Sequence, residues 1–315
     1  MKIMLKFKAR AAALTLLAAL CGGAAAITPA RAADAPQIAI TFDDLPAHSA
    51  LPPDTTRLAI AQDVIAALEA AGAPPTYGFV NAVQLTREPD SAPVLKAWRA
   101  AGFPLGNHTY SHPNLNSIPL DQYLSEIATD EPVLQGLMGD NDWRWFRFPF
   151  LSEGGDPAKR DGVRAYLAAH GYKIAGVTMS FGDYAFNEPY ARCVAKGDKA
   201  GIAKLEALYL DAAAKAAANS RAMAQALYGH DIPYVLLMHI GGLDARMAPR
   251  LLAQYKAEGF NFVSLPQAEQ DPFYHTDLDP SAPAGIDSLE GAMMARGLPL
   301  PPAAADLDAV GRICS

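Results

Sequence analysis

The chain has 315 residues, of which 51% are hydrophobic, so it can form one large α/β domain or two small ones. Acidic residues outnumber basic ones by 33 to 26. Five of the basic residues and none of the acidic ones lie in residues 1–32, which leaves 21 basic against 33 acidic residues. This acidic excess argues against nucleic acid as a partner.

The N-terminal segment has the pattern of a secretory signal peptide. The first ten residues carry four positive charges and no acid, and residues 11–26 form an apolar run rich in alanine and glycine. The small-x-small sequence Ala-Arg-Ala predicts cleavage after Ala32. A lipoprotein modified at Cys21 is the weaker alternative, because Leu20 stands where a small residue is expected. We therefore expect an exported, periplasmic or extracellular protein whose mature chain has no stable membrane insertion.

Strand-like apolar runs then alternate with helix-like amphipathic segments. The predicted strands are QIAITF, PTYGFV, FPLGNHT, WRWFRFPF, KIAGVTMS, YVLLMHI and NFVSL. The predicted helices between them end at glycines suited to left-handed caps, namely Gly72, Gly102, Gly171 and Gly259. This alternation predicts seven parallel strands in a distorted (β/α) barrel, with a doubly wound open sheet as the alternative.

The alternation stops after Leu265, which sets the domain boundaries. We predict a signal peptide over residues 1–32, a barrel domain over 33–266 and a tail over 267–315. The tail is rich in proline, alanine and acidic residues, and its one predicted helix is SLEGAMMARGL. A tail of this composition is expected to pack on the barrel surface.

Polar residues follow five of the seven predicted strands. They are Asp43 and Asp44, His108 and His112, Arg147, Asp183, and His239. In barrels of this kind the active site lies at the carboxyl ends of the strands. The packing of a core requires no such pattern, so the set as a whole indicates a catalytic site.

Each motif alone has a simpler explanation. The i, i+4 spacing of His108 and His112 suits two ligands of one metal ion, but it also arises by chance. Paired aspartates are common at the start of a helix, Arg147 could form a surface ion pair, and Asp183 follows glycine in a typical turn. His239 interrupts an apolar strand and is harder to explain as core filler.

In this order and at strand ends, the segments TFDD, HTYSH, RFPF, the aspartate at 183 and LLMH resemble the five motifs of the polysaccharide deacetylases. That family consists of metal-dependent carbohydrate esterases that remove N-acetyl groups from chitin-like and peptidoglycan sugars on a distorted barrel. The resemblance covers roughly residues 37 to 266. It implies that Asp44, His108 and His112 bind one divalent ion, with zinc expected and cobalt or nickel fitting the same donors.

The resemblance also implies the catalytic roles. Asp43 is the expected base, and Arg147 is expected to keep it ionised and oriented. His239 is the expected acid for the departing amine, with Asp183 fixing its tautomer. The backbone amide of Phe150 is expected to bind the oxyanion.

The sequence departs from the family after Asp183. Many members have Asp-Trp where this chain has Phe186 and Asn187, so Tyr184 or Phe186 is expected to replace the missing ring. Leu237 is the other expected wall of the acyl pocket. The expected activity is hydrolysis of N-acetyl groups on an amino-sugar polymer or oligosaccharide. The alternatives are an amidohydrolase for a non-sugar or cyclic amide and an inactive carbohydrate-binding relative.

Two cysteines remain after the signal peptide, at positions 193 and 314. In an oxidising compartment such a pair is more often bridged than free, with two free thiols as the alternative. We therefore predict a disulfide between Cys193, placed in the loop NEPYARC, and Cys314 in the tail.

Overall fold

A computed structural model describes residues 35–283 and 288–315. The predicted signal peptide, residues 1–32, lies outside the described residues. No helix within the described ranges is long and apolar enough to cross a membrane. The strands are β1 Gln37–Leu45, β2 Tyr77–Val80, β3 Leu105–Asn107, β4 Trp145–Phe146, β5 Lys173–Ile174, β6 Tyr234–His239 and β7 Asn261–Phe262.

All seven predicted strands are present and form one parallel sheet. The strand order is β5-β4-β3-β2-β1-β6, and β7 pairs with β1. The segment after β5 pairs with β6 through a single parallel bridge between Met179 and Leu236. This curled sheet confirms the distorted barrel and excludes the doubly wound alternative.

Helices follow the strands, as parallel pairing requires. They are α1 Arg57–Ala70, α2 Gln84–Arg87, α3 Ala92–Ala100, α4 Leu120–Met138, α5 Pro157–Ala169, α6 Tyr184–Lys196, α7 Lys199–Tyr228, α8 Gly242–Ala257, α9 Leu265–Ala268, α10 His275–Leu278, α11 Leu289–Ala295 and α12 Leu307–Gly311. The four glycines predicted as caps all have positive φ, between 65° and 89°. Glycine adopts this left-handed conformation without the steric cost of a Cβ atom.

Alternate residues of β1 face the two sides of the sheet. Ile38 and Phe42 belong to the large apolar cluster that includes residues of the surrounding helices, and the Phe42 ring lies 5.5 Å from that of Trp98 in α3. Ala39 belongs to a smaller cluster formed mainly by strand residues. Because side chains alternate along a strand, Asp43 follows Ala39 onto the second side, the interior of the barrel.

The segment NEPYARC is helical, which corrects its prediction as a loop. It lies within α6, although Pro189 disfavours the helical conformation of the residue before it. The helix begins at the N-cap Asp183 and ends at Gly197, whose φ is 65°. Packing against α7 and α8 outweighs the local preference.

The predicted disulfide is present and joins the tail to α6 through Cys193 and Cys314. Arg192 and Lys196 of the same helix donate hydrogen bonds to the carbonyl oxygens of Ile313 and Cys314, at 3.1 and 2.9 Å. The tail has more helix than predicted. Besides α11 in the predicted segment, it contains α10 and α12, and α12 packs on α6.

Candidate active site

The ends of β1, β3, β4 and β6 meet at a cavity of about 400 Å³. Its size is within the range of small-molecule sites. Asp43 of β1 lies directly beside His239 of β6 in the parallel register. The lining residues are Asp43, Asp44, His48, His108, His112, Phe150, Leu151, Ser180, Tyr184, Leu237 and His239.

Asp44, His108 and His112 converge as the motifs predicted. The Oδ1 atom of Asp44 lies 3.6 Å from Nε2 of His108 and 3.5 Å from Nε2 of His112. That oxygen is buried and has no hydrogen-bond partner. Separations of this size are long for hydrogen bonds but suit donors that share one ion. Two imidazoles and one carboxylate whose Oδ1 atom has no hydrogen-bond partner fit a divalent ion with open positions.

The proton positions of this cluster favour binding of a cation. The Nδ1 atom of His108 lies 2.7 Å from the carbonyl oxygen of Arg147 and donates to it, which leaves the Nε2 lone pair facing Asp44. Burial lowers the pKa values of His108 and His112 to about 4, so both rings are neutral at pH 7. Neutral imidazoles are the form that binds metal ions.

The loop between the two histidines is held by residues that sequence analysis did not identify. The side-chain amide of Asn81 donates to the carbonyl oxygens of His108 and Thr109, at 2.6 and 2.9 Å. The carboxylate of Glu126 accepts from the backbone and hydroxyl of Ser111, at 2.7 and 2.9 Å. His112 has a φ of 59°, an uncommon conformation for a residue other than glycine. These contacts bring both rings to one side although the segment is not a helix.

Asp43 and Arg147 form a buried pair beside the cluster. Nη1 of Arg147 lies 3.2 Å from Oδ1 of Asp43, and its Nε donates to the carbonyl oxygen of Ala175 at 2.7 Å. Burial raises the pKa of Asp43 to about 6, because the charge of Arg147 offsets the loss of hydration only in part. Arg147 therefore orients Asp43, but it does not keep the pKa of that carboxyl at its ordinary value.

Asp183 and His239 form a second pair on the other side of the cavity. One carboxylate oxygen of Asp183 accepts from the backbone N–H of His239 at 2.6 Å, and the other lies 3.1 Å from the ring atom Nδ1. Burial by itself would lower the pKa of His239, but the charge and hydrogen bond of Asp183 raise it to about 10. The ring is therefore the doubly protonated, cationic imidazolium at neutral pH. Its Nε2 atom is directed towards Asp44, at 3.9 Å from Oδ2.

Most of the predicted pocket residues lie at the cavity. Leu237 lines its wall, Tyr184 stands at its rim with 47% of its surface exposed, and the Phe150 ring lies 4.6 Å from that of His112. Phe186 does not line the cavity, since it is fully buried with its ring 5.4 Å from Tyr209. As position 186 lies inside α6, its side chain points into the helix packing.

Asn187 has a structural partner that the sequence did not suggest. Its side-chain amide donates to Asp244 at 2.6 Å, and Asp244 also accepts from the hydroxyl of Tyr209 at 2.8 Å. The Asn187 oxygen accepts from the backbone N–H of Leu243 at 2.9 Å. These buried bonds fix α6, and hence its N-cap Asp183, against the helix that follows His239.

The cavity also contains His48, Leu151 and Ser180, which sequence analysis missed. His48 is four residues after Asp44, the same spacing that drew attention to His108 and His112. Its ring lies 4.8 Å from that of His239. The spacing was therefore an available signal for His48, whereas nothing in the sequence marks Leu151 or Ser180 as site residues.

Residues 30–175 match the family model described as polysaccharide deacetylase. This segment belongs to the polysaccharide deacetylase family. The match includes the motifs that contain Asp43, Asp44, His108 and Arg147, and it confirms the family recognised from them. His239 follows the matched segment, and its place in the site rests on the geometry above. No curated protein matches the chain in sequence.

Solved structures with a similar fold include carbohydrate esterases. One is a family 4 carbohydrate esterase from Streptomyces lividans in complex with acetate, with 18% identity, 75% of this chain and 97% of that chain covered, and a TM-score of 0.47. Another is a peptidoglycan deacetylase from Bacillus subtilis, with 17% identity, 75% and 91% covered, and a TM-score of 0.47. A mutant of a family pseudoenzyme from Bacillus anthracis has 14% identity, 75% and 68% covered, and a TM-score of 0.50. At these identities the likeness concerns the fold alone.

Proposed function

We propose that this protein is an exported, metal-dependent hydrolase that removes N-acetyl groups from an amino-sugar polymer or oligosaccharide, chitin-like or from peptidoglycan. The observation that carries the proposal is the meeting of three units in one cavity. A cation-binding cluster, a carboxylate and a protonated imidazole stand at adjacent strand ends. Metal-assisted amide hydrolysis can use one of each, to activate the carbonyl and water, to take up a proton and to supply one.

Asp44, His108 and His112 would hold the ion, with zinc as the first candidate and cobalt or nickel fitting the same donors. When bound, a divalent ion polarises the amide carbonyl and makes water acidic enough to attack near neutral pH. Asp43 takes the proton from the attacking water, and its ion pair with Arg147 holds it in place. His239 donates a proton from Nε2 to the departing amine, and Asp183 fixes the ring through Nδ1. The backbone N–H of Phe150 is assigned to the developing oxyanion.

The rim of the cavity supports a sugar substrate. Phe150, Leu151 and Tyr184 expose 62%, 41% and 47% of their surfaces beside the polar groups. Exposed apolar side chains gathered at a cavity are typical of ligand-binding surfaces. Leu237 forms the apolar wall beside His239, as the methyl of an acetyl group requires.

Export is supported by two features that are far apart in the sequence. The first is the pattern of residues 1–32, and the second is the disulfide between Cys193 and Cys314. Structural disulfides persist in oxidising compartments and are rare in the cytosol. The substrate therefore belongs outside the cytoplasm, where cell-wall and chitin-like polymers lie.

The test is acetate release by the metal-loaded mature chain from N-acetylated chitooligosaccharides and peptidoglycan fragments, with a cyclic amide and a non-sugar N-acetyl compound as comparison substrates. We expect acetate from at least one of the sugars and none after chelation. If only the comparison substrates are hydrolysed, the protein is instead the amidohydrolase of the alternative hypothesis. Binding of the sugars without release of acetate would identify an inactive relative.

A further inference from the structure

The two carboxylate oxygens of Asp44 face two different pairs of imidazoles. Oδ1 faces His108 and His112, at 3.6 and 3.5 Å. Oδ2 faces His48 and His239, with Nε2 atoms at 3.8 and 3.9 Å. The second pair thus repeats the arrangement of the first across the same carboxylate.

Both imidazoles of the second pair are oriented through Nδ1, so Nε2 is the ring atom that faces Asp44, and an ion bound there takes the place of the proton that His239 carries at neutral pH. The Nδ1 atom of His48 lies 2.8 Å from the hydroxyl of Ser49, and Nδ1 of His239 lies 3.1 Å from Asp183. Metal-binding histidines are oriented in this way, by a hydrogen bond at the ring nitrogen that does not touch the ion. The His48 side chain is 17% exposed and lies at the cavity, which gives an ion a path from solvent.

We propose that Asp44, His48 and His239 form a second divalent-cation site, with Asp44 bridging the two ions. The three donor atoms lie within 4.8 Å of one another, as do those of Asp44, His108 and His112. A carboxylate that gives one oxygen to each ion is compatible with the 3.5–4 Å spacing common in two-metal sites. Two nitrogens and one oxygen suit zinc, cobalt or nickel.

The second ion is expected to inhibit, a consequence that rests on the proposed function. An ion on Nε2 of His239 occupies the lone pair that carries the proton for the leaving amine. Turnover should therefore fall when zinc is added beyond the first equivalent. Binding itself is independent of any activity and can be measured on its own.

The test is equilibrium dialysis of the metal-depleted mature chain against increasing Zn²⁺, with bound zinc measured by mass spectrometry. We expect about two ions per chain for the wild type and about one for His48→Ala and His48→Phe, the second of which keeps a ring in place. Loss of one of three donors should weaken the second site by more than about tenfold. His230→Ala, which removes an exposed histidine near the opposite end of β6, should still bind two.

Binding of the first ion by the His48 variants shows that they are folded. A single ion in the wild type at saturating zinc overturns the proposal, as does an unchanged second ion in both variants. Failure of the proposed function would appear differently, as two ions per chain without release of acetate from any sugar.

Titration with Co²⁺ tests the bridge. Two ions joined by the Asp44 carboxylate are close enough to couple magnetically, so the second equivalent should weaken the paramagnetic resonance signal of the first. Simple addition of two independent signals would place the second ion elsewhere and would also overturn the proposal.

Discussion

The two ends of β6 carry similar polar groups in opposite states. At the carboxyl end, His239 faces a carboxylate whose Oδ1 atom is buried without a hydrogen-bond partner. At the amino end, the hydroxyl of Tyr234 donates to Asp231 at 2.6 Å, and Arg221 pairs with the same carboxylate at 2.9 Å. The polar cluster at the carboxyl end therefore contains a buried oxygen without a partner, whereas the Asp231 carboxylate at the amino end is hydrogen-bonded within the protein.

This difference indicates that the cluster at the carboxyl end, and not the one at the amino end, has a catalytic role. A buried polar group without a partner costs about 1–3 kcal/mol, and an ion bound at Asp44 would remove that cost. The cluster around Asp231 is complete within the protein and faces no cavity described above. We therefore expect changes at the carboxyl end to affect activity and changes at the amino end to affect stability.

The largest expected effect is that of His112→Ala at the carboxyl end. Loss of one of three ligands should lower the affinity of the first ion by more than about 100-fold, the upper figure for changes in outer-shell partners. Elemental analysis should find about one ion per chain in the wild type as purified and almost none in the variant, which should release no acetate. Full metal content in His112→Ala would contradict the ligand assignment. His230→Ala is the matched control and should retain both metal and activity.

Asp43→Asn should keep the ion and lose turnover by at least about 100-fold, since general-base catalysis contributes about that much. The control is Asp231→Asn, the same chemical change at the other end of the barrel, for which turnover should be unchanged. Both are measured as kcat for acetate release together with metal content. Equal turnover in the two variants would mean that Asp43 has a structural role only.

The double substitution Cys193→Ser/Cys314→Ser tests whether the carboxyl-end geometry depends on the tail. The bridge closes a loop over a sequence separation of 121 residues. Chain entropy gives about 4–5 kcal/mol for such a loop, and removal of a disulfide is expected to lower the free energy of unfolding by about 2–4 kcal/mol. Denaturant unfolding measures the loss.

Asp183 lies at the other end of α6, so turnover of this folded double variant should change far less than that of Asp43→Asn. A loss of turnover as large as that of Asp43→Asn would show that the bridge positions the catalytic pair.

The smallest expected effect is on stability, from Asp231→Asn. Burial by itself would raise the pKa of Asp231, but the hydrogen bonds of Arg221 and Tyr234 and the charge of Arg221 lower it below its ordinary 3.8 in the folded state. The carboxylate therefore contributes stability above the unfolded pKa and loses it as the pH falls through the folded one. Because Arg221 is 41% exposed, the contribution is about 1 kcal/mol or less. The difference in unfolding free energy should be present at pH 7 and vanish at strongly acidic pH.

The barrel, and the gathering of its polar residues at one edge of the sheet, could be predicted from the sequence. Apolar runs alternating with amphipathic segments specify parallel strands, since each helix returns the chain in the same direction. A polar residue after such a run must then lie at the carboxyl edge of the sheet, which is why Asp43, Asp44, Arg147 and His239 could be placed together. The pairing of Cys193 with Cys314 followed from their number and the predicted export.

Which side chains come into contact depends on the packing of distant segments. Phe186 was expected at the acyl pocket, but helical packing buries it on Tyr209, and the neighbouring Asn187 binds Asp244. A helix across Pro189 depends on contacts between distant segments, which local preference does not contain. The position of His48 opposite His239 likewise arises from the turn after β1, and the two oxygens of Asp44 acquire their different neighbours only when four strand ends meet.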